Sequence, residues 1–128
     1  MTQQPIITGV DFVPLPTQNF ERTVDFYERV LRLRKVKQNE DAWAEFDAGN
    51  LTLGVMNVDR FGFPFVPVAN GIALHVEDME SARAALEGEG VEFKAPTLDT
   101  GVCYMAFFRD PEGNELLLHH RHAPKTEG

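Results

Sequence analysis

The sequence is poor in the residues that cross-link or anchor a chain: it has one cysteine, one tryptophan and two tyrosines in 128 residues. A single thiol, Cys103, excludes an internal disulfide and any cysteine-rich zinc site, and reads as a small residue within a strand. No run approaches the ~20 consecutive apolar residues that cross a bilayer. Met1–Pro5 has neither the charged start nor the apolar stretch of a secretory leader, so a cytoplasmic protein is expected. Positive charge is also scarce, with 12 Lys and Arg against 20 Asp and Glu and a net charge of −8. That balance disfavours nucleic acid and anionic membrane surfaces as partners. The cations cluster once, as Arg29, Arg32, Arg34, Lys35 and Lys37, where they complement the C-terminal end of a predicted helix.

What is present is an ordinary share of apolar residues, 43%, enough for one folded unit rather than a disordered chain. A chain of this length buries roughly two-thirds of the surface that its unfolded form exposes. Residues 105–120 read as two strands closed by the turn Asp110-Pro111-Glu112-Gly113-Asn114. Proline presets φ at the second turn position and Gly113 supplies a positive φ at the exit. Glu45–Leu53 echoes this hairpin, with Gly49-Asn50 in place of Gly113-Asn114.

The echo extends along the chain. Thr8–Leu15 has strand composition, with Pro14 and Pro16 placing it at a sheet edge or ending it. Asn19 is a predicted N-cap, and Phe20, Val24, Tyr27, Val30 and Leu31 form one helical face. Strands are predicted at 33–38, 43–47 and 51–58. The phenylalanine- and proline-rich stretch 60–70 then reads as a loop packed on the body, over a cleft or against a partner subunit. The pattern restarts with a strand at 71–76, an N-cap at Asp78, a helix ended by Gly90, and strands at 91–94, 102–109 and 115–120. The fold class is therefore α+β: tandem βαβββ modules forming a concave mixed sheet, helices outside. Module one is 7–58, the linker 59–70 and module two 71–121, together one domain at 7–121, followed by a tail at 122–128.

With Asp25-Phe26-Tyr27 in the first helix and Asp110–Asn114 in the last turn, this arrangement resembles the vicinal-oxygen-chelate superfamily. That group includes glyoxalase I, extradiol dioxygenases, fosfomycin-resistance proteins and bleomycin-binding proteins. The resemblance implies a concave cleft and, in the enzymes, a divalent metal held by His, Glu or Gln on the first and last strand of each module. Such a metal polarises neighbouring substrate oxygens. Those positions fall here on Phe12, Leu53, Gly71 and Leu117, none of which can bind a metal. The internal repeat selects the same four: Phe12 and Gly71 each stand eight residues before the first apolar helix residue, and Leu53 and Leu117 each follow a turn glycine by four.

Residues two apart share a strand face, which adds Pro14, Val55, His75, Glu115 and His119 to the expected cleft. The two histidines, offset by about two residues or roughly 7 Å along parallel strands, suit gripping one small molecule from two points. Imidazole can also act as acid or base near neutral pH. Tyr104 and Trp43 fit either the core or the pocket wall.

Three readings follow. In the first, the protein binds a small organic ligand without cofactor, in an apolar cleft of Phe12, Leu53, Leu117 and Tyr104, with His75 and His119 as polar anchors and Glu115 at the rim. In the second, it is a metal-dependent lyase, isomerase or dioxygenase with a relocated site at His75, His119 and Glu115. In the third, the cleft mainly serves homodimerisation, with Phe61, Phe63 and Phe65 at the contact.

Overall fold

The computed structural model describes residues 4–124; the last part of the tail, 125–128, lies outside the described residues. Two modules follow one another. The first contains β1 (Val13–Thr17), α1 (Phe20–Asp25), β2 (Arg34–Asn39), β3 (Trp43–Asp47) and β4 (Thr52–Asn57). The short α2 (Val58–Phe61) leads into the linker. The second contains β5 (Ile72–His75), α3 (Met79–Gly88), β6 (Leu98–Asp99), β7 (Cys103–Arg109) and β8 (Glu115–Arg121). The sheets have the same strand order, β1-β4-β3-β2 and β5-β8-β7-β6. In each, the first strand runs parallel to the last and the rest pair antiparallel. The expected α+β class and tandem βαβββ arrangement are both present.

Local chemistry accounts for the elements. Asn19 and Asp78 cap α1 and α3 through side-chain oxygens that accept from Arg22 N–H and Ser81 N–H, satisfying donors that a helix start leaves free. Pro14 and Pro16 do not end β1. They sit within an edge strand, where the missing donors cost least. The strand expected at 91–94 is not formed. Only Lys94 N–H reaches β7, at Phe107 C=O, and the regular pairing begins at Leu98–Asp99. After Asp25 the first helix widens into a π-helical turn, Phe26–Val30, in which Leu31 N–H donates to Phe26 C=O.

The inner faces of both sheets share one core. Leu15, Phe46, Leu53 and Val55 of module one join Ala106, Phe108, Leu116 and Leu118 of module two, with Phe20, Val24, Tyr27, Met79 and Leu86 from the helices between.

The Asp110–Asn114 turn joins the modules. Asp110 is 5% exposed and forms no salt bridge among the described residues. It accepts instead from Tyr27 OH at 2.7 Å, from Asn114 Nδ2 at 2.8 Å and from the Glu112 and Asn114 N–H groups. Burial first, and then the Asp110 carboxylate, push the Tyr27 phenol well above its usual pKa, so it stays a donor. Asn114 Nδ2 also reaches Pro16 C=O on β1, and its oxygen accepts from Val68 N–H in the linker. Glu112 accepts from Thr17 Oγ1 and from the Gln18 and Asn19 N–H groups. The motif that stood out in the sequence is thus the joint between β1, α1, the linker and β8.

Candidate functional site

Each sheet turns one face to the shared core and leaves the other open. In module two the open face carries the odd-numbered residues of β8. Glu115 pairs with Arg109, Leu117 with Phe107 and Ala73, and His119 with Met105 and His75. Gly71 stands beside Glu115, where a Cβ would lie 3.2 Å from both Glu115 C=O and a Leu117 methyl group. Gly71, Glu115, Leu117 and His119 lie along one face of the sheet, with His75 at the edge strand beside His119. The spacing of the histidines differs from expectation. Ala73, not Gly71, is level with Leu117, so His75 and His119 are register partners on adjacent parallel strands, about 4.8 Å apart in backbone spacing. His75 is exposed; its Nε2 lies 3.1 Å from Glu77 Oε1, and its ring lies 6.2 Å from that of His120 between centroids.

Glu115 is already engaged. Arg109 Nε donates to it at 2.7 Å and Lys94 Nζ at 2.9 Å. These hydrogen bonds, Arg109's first, hold its carboxyl below the usual range. The open face thus passes from a charged end at Arg109, Lys94 and Glu115, through Phe107, Leu117 and Met105, to the two histidines.

In module one the register is different. The last pair before the turn is Asp47 with Thr52, three residues past Gly49. In module two it is Arg109 with Glu115, two residues past Gly113. A one-residue difference exchanges the faces of a strand. Leu53 consequently points into the core, fully buried, with Val55 beside it, and neither belongs to the open face. The open-face counterpart of Leu117 is Gly54. Tyr104 is also displaced from the expected site, because it pairs with His120 on the core side of β7 and packs on His122 with ring centroids 4.5 Å apart.

Phe12 does lie on the open face of module one, beside a residue left unassigned from the sequence. Trp43 spreads its indole over Gly54, where a Cβ would come within 2.2 Å of the ring. Its Nε1 donates to Glu45 at 2.7 Å, and Phe12 meets it edge-on at 4.9 Å between centroids. The signal was a glycine in a strand interior, which marks a close approach of something bulky.

None of the open-face positions Phe12, Gly54, Gly71 and Leu117 carries a donor atom for a metal. Among the described residues, no group of three or more His, Cys, Asp or Glu is arranged to hold one. Nor is any helix among them long and apolar enough to cross a membrane.

A profile of the Glyoxalase/Bleomycin resistance protein/Dioxygenase superfamily matches residues 9–118. The chain belongs to this superfamily. No curated protein sequence matches it significantly. Among solved structures, a superfamily member from Sphaerobacter thermophilus DSM 20745 superposes with a TM-score of 0.76 at 22% identity, covering 90% of this chain and 98% of that one. TnmS3, an antibiotic binding protein from Streptomyces sp. CB03234, gives 0.76 at 22%, covering 92% and 99%. A lactoylglutathione lyase from Agrobacterium tumefaciens gives 0.74 at 15%, covering 88% and 93%. At these identities the likeness is one of fold, which many unrelated activities share.

Proposed function

We propose that this superfamily member is a cytoplasmic, metal-independent binding protein for a small organic molecule of aromatic or carbonyl type. The observation that carries the reading is the makeup of the open sheet faces. Where the family's metal-dependent members place donors, this chain has a phenyl ring, two glycines and a leucine. The nearby carboxylates are committed, Glu115 to Arg109 and Lys94 and Glu45 to the Trp43 indole. The surfaces left are apolar and aromatic: Trp43 and Phe12 on one sheet, Leu117, Phe107 and Met105 on the other. Flat aromatic side chains with a few fixed polar groups suit a planar ligand. His119 and His75 stand as hydrogen-bonding anchors at one end.

In this reading two copies pair as a homodimer. Phe61 and Phe63 support it, since they stack at 6.1 Å between centroids yet remain about half exposed, with fractional exposures of 46% and 54%. The metal-dependent alternative draws on the register pairing of His75 with His119, but the carboxylate nearest His75 is the exposed Glu77, and Glu115, four residues from His119 along β8, is held by two cations. The test is a thermal-shift screen of aromatic and carbonyl compounds against protein prepared without a nickel column. Hits are expected to lose affinity in His119→Ala and in Trp43→Ala. Hits indifferent to both substitutions would refute the site.

A further inference from the structure

The two modules are joined by two pseudo-equivalent seams that differ in their lining: Arg22, Asp25, Arg29 and Arg109 line a charged hollow at the first, whereas the second is mostly aliphatic. At the first, the module-two turn Asp110–Asn114 is tied to β1 and the first helix by its polar side chains, with Thr23 of α1 and Phe26 and Tyr27 of the π-helical turn nearby. At the second, the module-one turn 48–51 faces β5 and α3. Counted from the N-caps Asn19 and Asp78, the positions of Thr23, Phe26 and Tyr27 are taken by Ala82, Ala85 and Leu86. The smaller side chains leave a crevice of about 360 Å³, room for roughly a dozen water-sized groups. Its walls are mostly aliphatic, with Leu31, Leu51, Ile72, Leu74, Ala82 and Ala85 among them, and Leu53 also contributes. It lies on the helix side of the sheets, away from Trp43 and Leu117.

Arg32 is the one Lys or Arg that lines this crevice, and His75 at the end of β5 borders it as well. The cationic cluster of the sequence is otherwise largely spent in pairs, Arg29 with Asp25 and Glu89, Arg34 with Asp47, Lys35 with Glu28. No carboxylate among the described residues pairs with Arg32, although the chain is strongly acidic. Arg32 also has φ 61° just past the helix end, the left-handed position at which glycine is the least strained choice. A charged residue is held there against backbone preference, and such outliers gather at binding sites.

We propose that this crevice is a second binding site, for an apolar monocarboxylate. The hydrocarbon fills the space between module-one turn, β5 and α3, and the carboxylate accepts hydrogen bonds from the Arg32 guanidinium, whose planar fork matches it. The occupant is an aliphatic or aryl acid, chosen by charge complementarity. A neutral hydrocarbon would leave Arg32 unused.

The test titrates decanoate, and decanol as its uncharged match, into the full chain by calorimetry. Decanoate is expected to bind one per chain. Arg32→Gly should weaken it about tenfold, the loss of one charge-assisted contact, leave decanol unchanged, and fold at least as stably as the parent. Ala85→Phe, which fills the crevice, should abolish both; if it does not fold, Ala82→Val should weaken both. Equal decanoate affinity in the parent and Arg32→Gly would overturn the proposal, as would no binding, binding without defined stoichiometry, or loss of binding in Trp43→Ala instead. A dimer that Ala85→Phe converts to monomer would likewise overturn it by showing that a second copy fills the crevice. The open-face reading is tested by Trp43 and His119, so either can fail alone.

Discussion

The contact between Trp43 and Gly54 can be tested by adding one methyl group. In Gly54→Ala the new Cβ would lie 2.2 Å from Trp43 Cη2 and 2.5 Å from Cζ2, well inside contact distance. Gly54 is not among the glycines with positive φ, so its backbone accepts alanine and the whole penalty comes from the indole. Overpacking of this kind costs about 1–3 kcal/mol. Displacing Trp43 also loses the edge-on Phe12 contact, worth about 0.5–1.5 kcal/mol. Removing a glycine returns about 0.5–1 kcal/mol of backbone entropy. The net loss is about 1–3 kcal/mol, a fall in Tm of about 4–12 °C for a domain of this size. Trp43 is the sole tryptophan, so its emission should shift to the red as the ring leaves the sheet. In a Trp43→Ala background the sign should reverse, because only the backbone gain remains. Urea melts of the four proteins close the cycle. Equal destabilisation in both backgrounds, or unchanged emission, would refute the packing described.

Three further outcomes follow from the same structure. Asn114→Ala removes hydrogen bonds to Pro16, Val68 and Asp110 and should cost about 3–5 kcal/mol by urea denaturation, more than Tyr27→Phe at about 1.5–3 kcal/mol; the reverse order would contradict the joint. For Glu112, burial opposes ionisation, but hydrogen bonds from Thr17, Gln18 and Asn19 outweigh it and lower its pKa. Its stabilising contribution is therefore full above the unfolded value, about 4.3, and is lost as pH falls through the lower folded value, so Glu112→Gln should flatten the acid limb of a stability–pH curve. Replacing Phe61 and Phe63 by serine should convert a dimer to monomer by sedimentation, with little loss of Tm; a parent already monomeric at micromolar concentration would remove that contact.

The fold was legible because its signals are local and repeated. N-caps at Asn19 and Asp78, glycines at the turns and the Asp110–Asn114 motif each specify their element within a few residues. The face of each strand in module two was legible too, because Glu115 pairs directly across a five-residue turn. Leu53 was misplaced because glycine spacing does not report how many residues a turn consumes, and one residue exchanges the faces. Tyr104 fits core and surface alike by composition, so only its pairing with His120 settles its side. The offset expected between His75 and His119 is absent for a related reason: the repeat matches Gly71 to Leu117 in sequence, whereas Ala73 is the residue level with it. Trp43 went unassigned because its partner is an absence, the missing side chain of Gly54 on a neighbouring strand.

Ligand binding on the open sheet faces without a metal can be measured by titrating screened compounds against Trp43 fluorescence in protein stripped with chelator. Saturable quenching is expected, the same with and without chelator and weakened in His119→Ala. A divalent ion held stoichiometrically, required for binding and lost on substituting His75 and His119, would contradict metal-free binding.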